Sequence, residues 1–418
     1  MINVVPWILA LGGLVGAPLF ILMSGLALFA FYSAEIDLSA VAVEVYRMST
    51  APTLVTIPLF TFAGFVLAES RAPKRLLDVA DSLLGWMPGG VALVCLFVCA
   101  FFTAFTGASG VTIIALGGLI YPILRDQGYS ERFSLGLVTT CGSIGLLFPP
   151  SLPIILYGII AKVDIDSLFL AGIIPGFIMI FIIGVYAIKQ DRTREKRTFN
   201  FRLAVKALIS AWPELPIPLI VLGGIYGGFL TANEASALLA LYVFMMYFFI
   251  KKELKLSSDL TKIVVESMRL VSSILIVLCS ALALTNYLVD QEVPLKILQF
   301  MRTAIHSPYT FLFVLNIFLL IVGCLMDIFS AIIVVVPLIL PIAQDFGINP
   351  VHLAIVFLTN LEIGYITPPV GINLFISSFR FEKSVSELYR VSFPFLILSI
   401  LALLIITYIP WLTLLWLK

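Results

Sequence analysis

The sequence predicts an all-α, polytopic membrane protein folded as an inverted repeat, with two re-entrant helical hairpins and two broken helices. Three observations carry that expectation. The 418-residue chain is 61% hydrophobic and only 12% charged, a composition that places most of it in lipid. Its apolar runs are broken twice in the same manner, at Gly145-Leu146-Leu147-Phe148-Pro149-Pro150-Ser151 and at Gly364-Tyr365-Ile366-Thr367-Pro368-Pro369-Val370-Gly371. The breaks lie 219 positions apart, and at that offset Pro122 also matches Pro341, Gly128 matches Gly347 and Thr140 matches Thr359, the mark of an internal repeat.

Each break has a physical meaning. Two consecutive prolines lack backbone N–H groups and clash with the preceding turn, so the carbonyls before them lose their helical partners at membrane depth. Such carbonyls must be taken up by protein, water or a cation. Matching broken helices in two halves of a chain are the sequence sign of a secondary transporter with its site at the repeat interface.

At about 20 residues per crossing, the apolar run from Val5 to Tyr32 reads as a first crossing, and Ala51 to Ala68 as a second, after an acidic connection through Glu35, Asp37 and Glu44. The run from Met87 to Leu124 is too long for one crossing and is interrupted at Thr106 to Gly110, which fits a hairpin whose tip stops midway. Phe133 to Ala161 holds the first break, and Leu168 to Ile188 crosses again. The most basic stretch follows, with Lys189, Arg192, Arg194, Lys196, Arg197, Arg202 and Lys206, and the positive-inside rule places it in the cytoplasm. Crossings near Pro216 to Leu230, Ala235 to Ile250 and Val264 to Leu288 precede a second long run, Tyr309 to Ile342, interrupted near Gly323 to Ser330. Pro350 to Ser378 holds the second break, and Val391 to Leu417 ends the chain.

Nine crossings and two hairpins put every strongly basic loop inside, with a cytoplasmic N-terminus and a periplasmic C-terminus. The expected divisions are a first repeat over 1–199, with its hairpin at about 87–125 and broken helix at about 133–161; a linker and connecting helix over 200–231; and a second repeat over 232–418, with its hairpin at about 309–343 and broken helix at about 350–378.

The expected site lies where the hairpin tips meet the breaks. The tip Gly107-Ala108-Ser109-Gly110 is expected to face Gly145 to Ser151, and Gly323 to Ser330 to face Gly364 to Gly371. Half-helix N-termini suit an anion, and unwound carbonyls suit a cation. Thr103, Thr106, Ser109, Thr112, Ser151 and Thr367 add hydroxyl oxygens, and hard oxygen donors select an alkali cation. Two carboxylates sit at membrane depth, Asp327 at the second tip and Glu362 before the second break, near Asn360 and Asn373. Such groups read as cation ligands, protonatable groups or helix caps. Glu266 and Arg269 read as a structural pair, His306 and His352 as outer-loop residues, and the five cysteines as small buried hydrophobes. A net charge of +1 says nothing about nucleic-acid or acidic partners, and no nucleic-acid partner is expected. The chain has no paired aspartates at metal spacing, no Ser/His couple and no phosphate loop, so no catalytic role is expected.

The stretches Phe105-Thr106-Gly107-Ala108-Ser109-Gly110-Val111-Thr112, Gly145 to Ser151, Ile366-Thr367-Pro368-Pro369-Val370-Gly371 and Ile57-Pro58-Leu59-Phe60 resemble the large membrane (M) subunit of tripartite ATP-independent periplasmic (TRAP) transporters, over essentially the whole chain. The resemblance implies an ion-transporter-superfamily-like elevator in a bacterial inner membrane, importing a carboxylate solute (a C4-dicarboxylate, sialic acid or related acid) with Na⁺. It also implies a periplasmic solute-binding protein (P-type) and a small four-helix membrane subunit (Q-type), expected to be a separate chain because the first crossing starts at once. By the same resemblance, Na⁺ is expected near Thr103, Thr106, Gly145, Phe148 and Pro150 in the first half, and near Gly323, Gly364, Thr367 and Val370 in the second. No other metal is expected. A self-sufficient Na⁺/dicarboxylate symporter would share the hairpin plan without the binding protein.

Overall fold

Two short helices, α1 (Val5–Leu14) and α2 (Leu19–Ser33), occupy the run expected to be one crossing from Val5 to Tyr32. They fold back on each other, with the Leu9 side chain against Gly25. Pro18 precedes α2 in an extended conformation, as a residue that cannot continue a helix from the preceding segment. The computed structural model describes residues 5–14, 17–50, 52–190, 199–302 and 305–417; Arg192, Arg194, Lys196 and Arg197 of the expected basic linker lie outside them. Every long regular element among the described residues is helical, as lipid demands of backbone groups that must pair within their own segment.

The first half continues through α3 (Ser39–Ser49), α4 (Thr56–Glu69) and the amphipathic α5 (Ala72–Leu84). The first hairpin has one straight arm, α6 (Gly90–Thr106), and one arm bent by 52° between α7 (Ser109–Ala115) and α8 (Gly117–Asp126). Gly107 turns the chain at its tip with φ +63°, a conformation that favours a residue without Cβ. The first broken helix follows as α9 (Glu131–Ile144), a tight turn over Gly145–Leu147 and α10 (Leu152–Ala161). The long α11 (Ile165–Gln190) closes the half.

Past α12 (Phe201–Ser210), the short α13 (Pro216–Pro218) and α14 (Gly224–Tyr226) are joined by a π-turn. Then come α15 (Ala232–Phe244), α16 (Asp259–Asp290), α17 (Val293–Arg302), the second hairpin of α18 (Pro308–Leu325) and α19 (Ile328–Asp345), and the second broken helix of α20 (Pro350–Gly364) and α21 (Ile372–Phe381). The chain ends with α22 (Val385–Tyr408) and α23 (Trp411–Leu414). Six described helices are long and apolar enough to cross a membrane, or eight if each bent pair is one span. The nine expected crossings are not all matched by full-length helices, because α2, α4 and the segment Pro216–Tyr226 are shorter than a bilayer requires.

A shift of 219 positions lays α6 on α18, α7 with α8 on α19, α9 on α20, α10 on α21 and α11 on α22, to within one residue at each end. Both Pro-Pro bonds, Pro149-Pro150 and Pro368-Pro369, are cis, and Gly128 and Gly347 share a positive φ. In each half the straight hairpin arm crosses the broken helix at glycine. A Cβ on Gly145 would lie 2.2 Å from the Ala100 carbonyl oxygen, and one on Gly364 would lie 2.4 Å from the Gly323 carbonyl carbon. Small residues let membrane helices approach backbone to backbone. The second arms then lean across the repeat, α7 on α21 and α19 on α10.

One buried ionic cluster ties the halves together away from the hairpins. Arg75 of α5 reaches Glu214 at 2.6 Å and Glu253 at 2.5 Å, and the Tyr247 hydroxyl donates to Glu214. Arg75 and Glu214 are 8% and 2% exposed. Glu266 and Arg269 form no ion pair among the described residues; Lys262, one turn earlier, pairs with Glu69 instead. Cys95, Cys99, Cys141 and Cys324 are buried, as expected of small hydrophobes.

Two outcomes follow for stability. Gly364→Ala is expected to cost about 1–3 kcal/mol by overpacking the second crossing. Gly223→Ala, whose Cβ meets nothing within 4 Å, is expected to leave thermal unfolding in detergent unchanged or slightly raised. Arg75→Leu strands two carboxylates and is expected to cost about 3–5 kcal/mol, whereas Lys262→Ala, at a half-exposed pair, is expected to cost less than about 1 kcal/mol. Equal unfolding temperatures within either pair would contradict these assignments.

Candidate functional site

The two hairpin tips line one cavity of roughly 400 Å³. Gly107, Ala108, Ser109 and Gly110 come from the first tip and Asp327, Phe329 and Ser330 from the second; Tyr365 and Ile372 come from the second break. Leu270, Ser273, Ile274 and Val277 of α16 close the remaining side. Asp327 is the only ionisable carboxylate in this lining, and no lysine or arginine is among the lining residues.

The tips are held differently. Asp327 is the N-cap of α19: its Oδ1 accepts from the Phe329 and Ser330 amides at 3.0 Å each, and the Ser330 hydroxyl donates to Oδ2. The corresponding residue of the first hairpin, Ala108, caps α7 without a side-chain bond. There the Ser109 hydroxyl donates to Asn373 Oδ1 at 2.8 Å, Asn373 Nδ2 donates to the Thr139 carbonyl at 3.2 Å, and Thr139 donates to Ser377 at 2.9 Å. These bonds join the first tip to the second broken helix. The second tip is anchored to its own break, where the Ile328 amide donates to the Tyr365 hydroxyl at 2.9 Å and the Gly371 amide to the Cys324 carbonyl at 3.1 Å.

Side-chain and main-chain oxygens gather at the first crossing. Thr103 Oγ1 donates to the Gly142 carbonyl at 2.8 Å and lies 2.7 Å from Thr112 Oγ1. Thr103, Thr106 and Thr112 are all buried, and Gly145 sits against Thr103 and Ala104. Beyond Gly145, the Phe148 amide donates to the Gly145 carbonyl and the Ser151 amide to that of Phe148, across Pro149 and Pro150. Ser151 Oγ is buried without a partner among the described residues. At the second crossing, Gly323 and Gly364 meet directly, and Thr367 Oγ1 donates to the Ile363 carbonyl at 2.8 Å. Val370, 36% exposed, stands at the margin of that break.

Of the residues expected to meet the solute, Thr112, Ser151, Asn360, Glu362 and Asn373 do not line the cavity. Asn360 faces α18, where its Nδ2 donates to Asn316 Oδ1 at 2.8 Å. Glu362 is 1% exposed, and neither of its oxygens has a hydrogen-bond partner among the described residues. His352, expected on an outer loop, is 2% exposed and hydrogen-bonded to Thr407 and Thr413. Ser330 and Tyr365 lie in the two segments expected to face each other, though the sequence singles out neither, whereas Ser273 and the rest of the α16 wall were not expected. Ser273 stands as a polar residue inside an apolar crossing, a signal that was legible; the inward direction of Tyr365 depends on packing.

A family model described as tripartite ATP-independent periplasmic transporter, DctM component, matches residues 4–412. The chain is 32% identical to the C4-dicarboxylate TRAP transporter large permease protein DctM of Vibrio cholerae, over 95% of this chain and 93% of that one. It is 36% identical to the isethionate TRAP transporter permease protein DctMQ of Oleidesulfovibrio alaskensis, over 85% of this chain, which spans only 57% of that protein's length. It is 29% identical to the ectoine/5-hydroxyectoine TRAP transporter large permease protein UehC of Ruegeria pomeroyi, over 92% and 91%. Among solved structures, the YdaH transporter of Alcanivorax borkumensis is similar in fold, with a TM-score of 0.60, 13% identity and coverage of 90% and 88%.

Asp327→Ala is expected to lower stability by about 0.5–2 kcal/mol through loss of the cap, and Asp327→Asn, an equally good cap, to retain it. Thermal unfolding of both variants checks this; an alanine variant as stable as the parent would show that the cap contributes nothing.

Proposed function

The chain belongs to the DctM component of the tripartite ATP-independent periplasmic transporters, and from that premise we propose that it is the large transmembrane subunit of a Na⁺-coupled importer of a carboxylate or related organic acid. The observation that carries this reading is the cavity between the two hairpin tips. Its lining offers Ser109, Ser273, Ser330 and Tyr365 as hydrogen-bonding groups but no cationic side chain. An anionic solute therefore gains positive charge from co-bound cations, which is a physical reason for coupling. The oxygens around Thr103, Thr112, Gly142 and Gly145, and the glycine crossing at Gly323 and Gly364 with Thr367 beside it, suit hard cations such as Na⁺.

The names of the relatives point to solutes of different charge: a dicarboxylate, the sulfonate isethionate and ectoine. A family of that breadth fits a cavity with hydroxyl groups and no cationic side chain, its one carboxylate, Asp327, held by the amides of α19, served by a binding protein that selects the solute first. In this reading the hairpins and broken helices move as the carrier, while α16, with α4 and α5, belongs to the static wall. The partners are a small Q-type membrane subunit and a periplasmic P-type binding protein, in a bacterial inner membrane with the basic loops cytoplasmic.

Uptake of radiolabelled solutes into proteoliposomes containing this chain and its candidate small subunit tests the proposal, with an inward Na⁺ gradient and with or without binding protein outside. The expected result is uptake that needs both. Uptake with Na⁺ alone would favour a self-sufficient symporter, and uptake indifferent to Na⁺ would overturn the coupling.

A further inference from the structure

The two crossings share a backbone plan but are locked by different side chains. At the first, the lock sits in the crossing: Thr103, Thr112 and the Gly142 carbonyl. The positions 219 residues later are Val322, Ala331 and Leu361, none of which has a polar side chain. The second half carries a different ladder. Asn360 Nδ2 donates to Asn316 Oδ1 at 2.8 Å, Asn316 Nδ2 donates to Thr407 Oγ1 at 3.2 Å, and His352 Nε2 lies 3.1 Å from the Thr407 carbonyl oxygen. Its first-half equivalents are Cys141, Phe97, Ile188 and Phe133, so the ladder has no twin. All four ladder residues are buried, Asn316 the most exposed at 4%.

Polar groups buried at membrane depth are expensive and are retained for a reason. The placement of these indicates it. On α20, Asn360 and Gly364 share one face at a spacing of four, and on α18 Asn316 and Gly323 share one at a spacing of seven; His352, on another side of α20, meets Thr407 of α22. The Asn316–Asn360 bond and the crossing therefore lie along one α18–α20 seam, with Asn360 about 6 Å, roughly one turn, from Gly364, and Thr407 of α22 and His352 hold that bond from behind.

We infer that Asn316, Asn360, Thr407 and His352 are positioning residues for cation binding at the second crossing. They set the register of α18 on α20 so that Gly323 and Gly364 meet, a task that Thr103 and Thr112 perform in the first half from within the crossing. The inference rests on the Na⁺-coupled reading above. It makes the two cation sites answer to different residues, the second of them from a distance.

The test is a Na⁺ titration of the full chain in detergent, with choline replacing Na⁺ at constant ionic strength, read as the Na⁺-dependent rise in unfolding temperature. The double variant Asn316→Leu with Asn360→Leu removes both amides and leaves neither stranded. Thr407→Val removes the hydroxyl at constant shape, and Thr407→Ser keeps it. Half-saturating Na⁺ is expected to rise about tenfold in the double variant and in Thr407→Val, the scale of outer-shell effects on metal sites, and to stay at the parent value in Thr407→Ser. Unfolding in choline is expected to be unchanged in Thr407→Ser and lowered in Thr407→Val, which leaves Asn316 Nδ2 without its acceptor, so the Na⁺ response is read as the rise over each variant's own value in choline. Variants that lose stability in choline but keep the parent Na⁺ response would overturn the inference and reduce the ladder to helix glue. If the double variant does not fold, the Thr407 pair decides. A parent protein with no Na⁺ response would instead overturn the coupling reading, and this inference with it.

Discussion

Backbone groups in hydrocarbon have no water to turn to, and the rest of this fold follows from how the chain meets that constraint at two points where it breaks its own helices. Pro149-Pro150 and Pro368-Pro369 deny the preceding turns their amide donors. In each half the freed segment is met by a hairpin arm at a crossing that tolerates no Cβ. Each second arm leans on the opposite half, α7 on α21 and α19 on α10, and the two tips come together on one cavity. The freed carbonyls of Gly145 and Phe148 accept from amides within the break itself, and the cavity opens where the tips meet, with α16 as its fourth wall.

Charge is spent sparingly and mostly away from this assembly. The buried Arg75, Glu214 and Glu253 cluster sits among basic loops and joins the first half to the second through α5. A buried ion pair earns little net stability, but removing one partner is costly, so the cluster specifies how the halves sit together more than how firmly they hold. Near the tips, by contrast, hydroxyls and amides carry the polar contacts, and Asp327 has its charge absorbed by the amides of α19.

Much of the architecture was legible in the sequence because it rests on residues with strong backbone consequences. The breaks, the hairpins and the 219-residue offset all come from proline and glycine, and the helices match that offset to within a residue. The fold-back of α1 on α2 was not legible from hydropathy, which sees that Val5 to Tyr32 is apolar but not that Pro18 divides it. Within the site, residue type was readable and direction was not. Asn360 is polar at the right depth yet faces α18, and His352 is near a loop yet buried. Ser109 finds its partner in Asn373, 264 positions away, a distance over which no local pattern carries information.

That last separation also has a meaning in time. The second tip carries its own cap, from Asp327 to Ser330, which forms as soon as the start of α19 is made, while its anchoring bonds to Tyr365 and Gly371 come later. The first tip has no side-chain cap of its own and depends on a residue synthesised 264 positions later. At about 5–20 residues per second, that is a wait of roughly 13–50 s on the ribosome. During it the first hairpin is in the membrane with its tip hydroxyl unpartnered by Asn373, whereas the hairpin made later has its cap from the moment its second arm begins.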